Sequence, residues 1–146
     1  MNAFFNTPEP VNEKVRSYKP NTKETESIKK TYHKLNNSKI DIPMYIGGKK
    51  IKTKNKKTIS PPHNHKHVIG HYNYGNKKHV QQAIKSALEA KEKWSNLPWE
   101  ERAAIFLKAA ELLSNKYRDL INASTMLCQS KNVYQAEIDA ACELID

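Results

Sequence analysis

The chain has 146 residues, 38% of them hydrophobic and 27% charged, with a mean hydropathy of −0.82, which is polar for a globular domain but too rich in apolar residues for a chain disordered throughout. No apolar run approaches the ~20 residues that span a bilayer, the start Met1-Asn2-Ala3-Phe4-Phe5 has neither the basic nor the long apolar segment of a secretory leader, and two cysteines, Cys128 and Cys142, make no disulfide framework and fit a reducing compartment. The net charge of +10 lies entirely in residues 1–75, where 15 basic side chains face 5 acidic ones; residues 76–146 carry 10 of each.

Residues 1–21 contain Pro8, Pro10 and Pro20 and no sustained apolar period, so they read as an extended arm. Asn21 or Thr22 can cap a short helix whose first turn holds Glu24 and Glu26, where the helix dipole favours anions. Ile28, Tyr32 and Leu35 then share a face, and Asn36-Asn37-Ser38 ends the helix. The period next changes to two. Ile42, Met44 and Ile46 alternate, Gly47-Gly48 marks a hairpin, and Ile51 follows. A strand over 57–60 stops at Pro61-Pro62, with its partner over 67–72 beyond a polar turn.

From Asn76 the period is helical: Val80, Ala83, Ile84, Ala87, Leu88 and Trp94 form one stripe. Pro98 with Glu100 and Glu101 starts the next helix, which Phe106, Ala110 and Leu113 continue. After a break at Ser114-Asn115, Tyr117, Leu120, Ile121, Ser124 and Cys128 outline the apolar face of a third helix. A last one runs from Asn132 with Val133, Ala136, Ala140 and Leu144 in register. It is still apolar at Asp146, with no glycine cap and no basic last turn, so the chain reads as an N-terminal portion of something larger. The organisation expected is an arm and short helix over 1–41, a β-hairpin region over 42–75, and helices over 76–146.

The chemistry is sparse. Nearly all the basic excess is lysine, with only Arg16, Arg102 and Arg118 as arginines, whereas base-edge readout favours the arginine fork. A solvated lysine-rich surface is the main reading, with a nucleic-acid-binding or structural interaction module as the alternative. His63, His65, His67 and His71 follow a Pro-Pro pair and read as a polar turn ahead of a metal site. Cys142, among Ala140, Ala141, Leu144 and Ile145, reads as a small buried hydrophobe, and Cys128 lies on its own helix's stripe; neither is assigned as a nucleophile. Glu137, Asp139, Glu143 and Asp146 crowd the last helix. Asp139 and Glu143 would share a face at i, i+4, able to hold a cation, but an ordinary wet helix face is the simpler reading. No glycine-rich phosphate loop and no nucleophile elbow is present, so the chain carries no complete active site: no catalytic, cofactor-binding or metal-binding residue is assigned.

Four stretches carry a resemblance. They are Gln135-Ala136-Glu137-Ile138-Asp139-Ala140-Ala141-Cys142-Glu143-Leu144-Ile145-Asp146, Glu101-Arg102-Ala103-Ala104-Ile105-Phe106-Leu107-Lys108-Ala109-Ala110, the arm Asn12-Glu13…Ser17-Tyr18…Pro20, and Ile46-Gly47-Gly48-Lys49. In order and spacing they resemble, across nearly the whole chain, the early region of the L-glutamate γ-semialdehyde (1-pyrroline-5-carboxylate) dehydrogenases, a branch of the aldehyde dehydrogenase superfamily. Cys128 departs from the glycine usual in that family, which bears on a helix cap.

The resemblance implies an α/β fold of which this chain is the N-terminal portion: arm, short helix, β-hairpins, then about four helices that begin the NAD-binding domain. It implies NAD-dependent oxidation of the semialdehyde to glutamate in proline breakdown. The nucleophilic cysteine, the water-activating glutamate and the NAD-binding segment would all lie beyond Asp146, leaving the fragment inactive. One position carries over: Glu143 matches the glutamate of D-A-A-x-E-L-I-D beside the aldehyde pocket, an auxiliary group able to meet the substrate ammonium or order a water. A homo-oligomer, no specific nucleic acid and no membrane are implied for the full-length form. The absence of an Arg-rich presequence favours the cytoplasm, with the mitochondrial matrix as the alternative.

Overall fold

The computed structural model describes Phe4 and residues 6–146; Met1, Asn2, Ala3 and Phe5, part of the expected arm and of the start read for a leader, lie outside the described residues. The chain divides into two compact units. One holds residues up to His33 together with Pro98–Asp146; the other is Lys34–Leu97.

In Lys34–Leu97 the hairpin expected around Gly47-Gly48 is present. Strands β2 (Met44–Ile46) and β3 (Lys49–Ile51) pair antiparallel, with both glycines in the left-handed region at φ 56° and 74°, as a tight hairpin turn of matching twist requires. The alternating run from Ile42 to Ile46 is not one strand, however. Pro43 has no N–H to donate and divides it, leaving β1 (Ile40–Ile42) free to join other partners. Strand β1 runs parallel to β5 (Gly70–Asn73), which in turn pairs antiparallel with β4 (Lys56–Ile59), giving the order β1-β5-β4.

Two side-chain facts fix that register. Gly70 sits so close to β1 that a Cβ there would fall 2.6 Å from the Ile40 carbonyl oxygen. Buried Asn73 stitches the sheet: its Nδ2 donates to Asp41 Oδ1 at 3.0 Å and to the Ile42 carbonyl at 2.8 Å, and its Oδ1 accepts from Thr53 N–H at 2.7 Å. Asp41 also meets the ammonium groups of Lys52 and Lys56, each at 3.0 Å, and these hold its carboxyl down at about 2.

Helix α2 (Lys77–Ser95) begins where the sequence predicts. Asn76 caps it, accepting from the amides of Lys78 and His79, while His79 bonds back to the Asn76 amide. Its apolar stripe is uncovered, with Val80, Ile84 and Leu88 exposed to 58%, 55% and 64%.

In the other unit, α1 (Lys23–Asn36) starts behind Thr22, whose hydroxyl accepts from the Thr25 amide, and it buries Ile28. Helix α3 (Trp99–Ser114) follows Pro98 and buries none of its side chains fully. Helix α4 (Arg118–Gln129) corrects the face read from the sequence. Tyr117, Leu120 and Cys128 are exposed; the buried positions are Arg118, Asn122, Ala123 and Leu127. The buried face lies about half a turn from the predicted one, because Arg118 and Asn122 find hydrogen-bond partners inside. The helix ends with Ser130 at φ 56°, so the left-handed cap falls two residues beyond Cys128, and a side chain at Cys128 is compatible with it.

The last segment is not one regular helix either. It runs as α5 (Val133–Ala136), a π-helical turn (Glu137–Cys142) and α6 (Glu143–Ile145), opened by an Asn132–Gln135 capping box.

Candidate functional site

The densest polar cluster of the described residues lies in the unit formed by residues up to His33 and Pro98–Asp146. Glu137, at the start of the π turn, is 0% exposed, and Arg118, at the start of α4, is 1% exposed. Arg118 holds the Glu137 carboxylate from Nε, at 3.2 and 3.3 Å, and from Nη2. Three further donors complete the shell: Asn122 Nδ2 at 2.6 Å, the Arg16 backbone amide at 2.8 Å and the Tyr18 hydroxyl at 2.9 Å. The rest of the guanidinium is used as well, with Nη1 on Glu13 and Nη2 on the Lys14 carbonyl at 2.7 Å.

A buried charge is tolerated only when its partners replace the lost water, and here they do. Burial by itself would raise the carboxyl pKa of Glu137; the bonds from Arg118, the Arg16 amide, Asn122 and Tyr18 outweigh it and hold the group ionised. Burial disfavours the charge on Arg118, but its bonds to Glu137 and Glu13 reverse that and raise its pKa. Tyr18 is pushed up to about 12, chiefly by burial and then by its bond to the neighbouring carboxylate, so it stays a donor throughout the physiological range.

The sequence reading gave the wet helix face to Asp139 and Glu143, both of which are exposed, and assigned no role to Glu137, which the structure buries. The signal was available: Glu137 falls between Ala136 and Ala140, both buried, in the apolar register of the segment. What the sequence does not show is the arm residue that meets it, because Tyr18 lies 119 positions away.

Glu143, carried over from the resemblance, is exposed, on the first residue after the π turn. Asp139 is drawn to Lys131 at 2.5 Å. Because Asp139 lies within the π turn that Glu143 follows, the α-helical spacing that would align them on one face does not apply. Among the described residues, no three His, Cys, Asp or Glu side chains gather as a metal site. His67 Nε2 lies 2.7 Å from the Asn36 carbonyl oxygen, and His79 serves the α2 cap. Cys142 is buried and Cys128 exposed as a residue with its thiol partly covered, and loss of solvent raises the pKa of both thiols, the opposite of what a nucleophile needs.

Neither thiol stands beside a base or in a field that would activate it among the described residues. These observations fit the N-terminal reading, and comparison with known proteins decides the class: residues 49–146 match the aldehyde dehydrogenase family. The chain belongs to that family. It is 43% identical over 145 residues to a probable delta-1-pyrroline-5-carboxylate dehydrogenase of Schizosaccharomyces pombe, covering 99% of this chain and 26% of the relative. The mitochondrial delta-1-pyrroline-5-carboxylate dehydrogenase of Dictyostelium discoideum is 42% identical over 146 residues, again 99% of this chain and 26% of the relative. Among solved structures, the Mycobacterium tuberculosis delta-pyrroline-5-carboxylate dehydrogenase superposes with a TM-score of 0.96 at 41% identity, covering 100% of this chain and 27% of that one; it has also been solved with NAD bound.

The chain therefore spans about a quarter of the length of the relatives it matches. The α/β fold expected from the resemblance, the N-terminal part of an aldehyde dehydrogenase with mixed strands and helices, is what the structure has. NAD is the family's cofactor. The residues present here do not form its cradle: Gly47 and Gly48 make a hairpin, Gly70 packs on Ile40, and Gly75 precedes a helix whose first free amides are already taken by Asn76.

Proposed function

We propose that this chain is the N-terminal part of an NAD-dependent dehydrogenase that oxidises L-glutamate γ-semialdehyde, the open form of 1-pyrroline-5-carboxylate, to L-glutamate in proline catabolism. The observation that carries the reading is the match along the whole chain to pyrroline-5-carboxylate dehydrogenases, at 41% identity and a TM-score of 0.96. In this reading the helices from residue 76 onward open the NAD-binding domain, and Glu143 stands beside the aldehyde pocket. As an exposed carboxylate it would meet the substrate ammonium or order a water, an auxiliary role and not that of the nucleophile. The full-length protein would be a homo-oligomer. Among the described residues no helix is long and apolar enough to cross a membrane, and the cytoplasm was the first expectation for the compartment. The Dictyostelium relative's mitochondrial designation favours the alternative, the mitochondrial matrix.

The chain alone is expected neither to bind NAD tightly nor to form NADH from the semialdehyde. The decisive experiment joins residues 1–146 to the remaining three-quarters of the S. pombe relative. The hybrid should reduce NAD with the semialdehyde, and Glu143→Gln should lower its kcat/KM by about tenfold or more. A hybrid that is folded and binds NAD, yet is inactive on this aldehyde, would refute the reading. Undiminished activity in Glu143→Gln would remove the residue's role.

A further inference from the structure

The last helical segment changes register where the N-terminal arm grips it. The Glu143 amide bonds to the Ile138 carbonyl, five residues back, whereas the Asp146 amide again bonds four back, to Cys142 at 3.0 Å. A π turn is rare and occurs mostly as a single turn inserted in an α-helix, so its presence calls for a local cause. Local propensity does not ask for one: Ala140-Ala141 are the strongest α-helix formers.

The arm supplies the missing constraint, and it does so at both ends. Arg16 N–H and the Tyr18 hydroxyl hold Glu137, the first residue of the turn, and Glu13 N–H donates to Asp146 Oδ1 at 2.6 Å beyond its end. Tyr18 adopts φ 47°, a left-handed backbone that a bulky side chain takes only when its contacts demand it. Had the segment stayed α-helical, everything after Cys142 would be turned by about 100°, and Asp146 would leave the Glu13 amide.

We infer that residues 13–18 are a strap that holds the π register of Glu137–Cys142 through Glu137 and Asp146, and so sets the direction in which Glu143 points. Glu137 is then a positioning residue: it acts through the backbone turn and not on substrate. The importance of that direction for the reaction rests on the role proposed above for Glu143; the strap itself does not.

The test reads the register directly. In the isotopically labelled 146-residue chain, scalar couplings across hydrogen bonds should pair the Glu143 amide with the Ile138 carbonyl. In Glu137→Gln that coupling should be lost and replaced by one to Asp139, four residues back. Tyr18→Phe combined with Asp146→Ala should give the same change and serves where Glu137→Gln fails to fold. Retention of the Ile138 coupling in either folded variant would overturn the strap, as would its absence from the unaltered chain. Loss of hybrid activity on Glu143→Gln alongside an unmoved register would discard the strap and leave the proposed function standing. A shifted register with a fully active Glu143→Gln hybrid would do the reverse.

Discussion

Residues 34–97 hold 14 lysines against Asp41, Glu89 and Glu92, a net charge of +11, while the remaining residues net −1. The first of these regions keeps its charges at the surface; its one fully enclosed polar side chain among the described residues is the neutral Asn73. The second, nearly balanced, takes an arginine and a glutamate out of water altogether. Net charge and buried charge are thus separate properties. Excess lysine is tolerated on a small sheet because long side chains reach solvent, with Lys50 and Lys57 lying over the rings of Tyr45 and Tyr74. A buried pair needs its charges matched, and at Glu137 the donors come from Arg118, Asn122 and the arm.

This contrast can be broken experimentally. The largest effect is expected from Glu137→Ala, which removes the fully buried partner of the Arg118 guanidinium and leaves it Glu13 and the Lys14 carbonyl: about 3 kcal/mol of stability should be lost, read by denaturant unfolding. A loss below about 1 kcal/mol would show that water reaches the cluster. Gly70→Ala strikes the other region, forcing a Cβ against the Ile40 carbonyl at 2.6 Å. It should cost about 1–3 kcal/mol and abolish protection from hydrogen exchange at the Ile40 amide, which bonds to the Ile69 carbonyl, while leaving the Tyr18 and Glu137 contacts intact.

Acid sharpens the same comparison. The folded-state pKa of Glu137 lies below its ordinary 4.5, so its contribution is present above that value and disappears as pH falls through the lowered one. Exchange protection around α4 should therefore decline with acidification below about 4.5, and Glu137→Gln should flatten that decline. A wild-type profile matching that of Glu137→Gln would show that the pair is not ionised. The smallest effect belongs to Leu88→Ser on the uncovered face of α2, within about 0.5 kcal/mol for this chain. In the full-length hybrid a larger loss is expected, because that stripe has the composition of a covered face.

How far the sequence could be read depended on the distance over which each constraint acts. The helix start at Asn76, the hairpin at Gly47-Gly48, the break at Asn115 and the start at Asn132 were legible because turn chemistry and a change of period are local. The parallel β1–β5 pairing was not, since it joins Ile40 to Gly70 across a hairpin and another strand. On α4 the periodic apolar positions pointed to the wrong face, because hydrophobicity patterns give no weight to an arginine whose charge is matched internally. Of the candidate site, Glu143 was reached only through family resemblance, while Glu137 stood in a quoted motif and Arg118 among the three arginines, neither with any mark of its burial.

The sequence by itself determined the family resemblance and the local signals of the hairpin at Gly47-Gly48 and of the helix starts at Asn76, Pro98 and Asn132, because these rest on residue identity and short spacings. Tertiary structure alone decided that the arm packs back against the helices after Pro98, that Glu137 is buried, and that the final helix widens into a π turn. Each of those outcomes depends on groups more than a hundred positions apart meeting in space, and no local propensity encodes such a meeting.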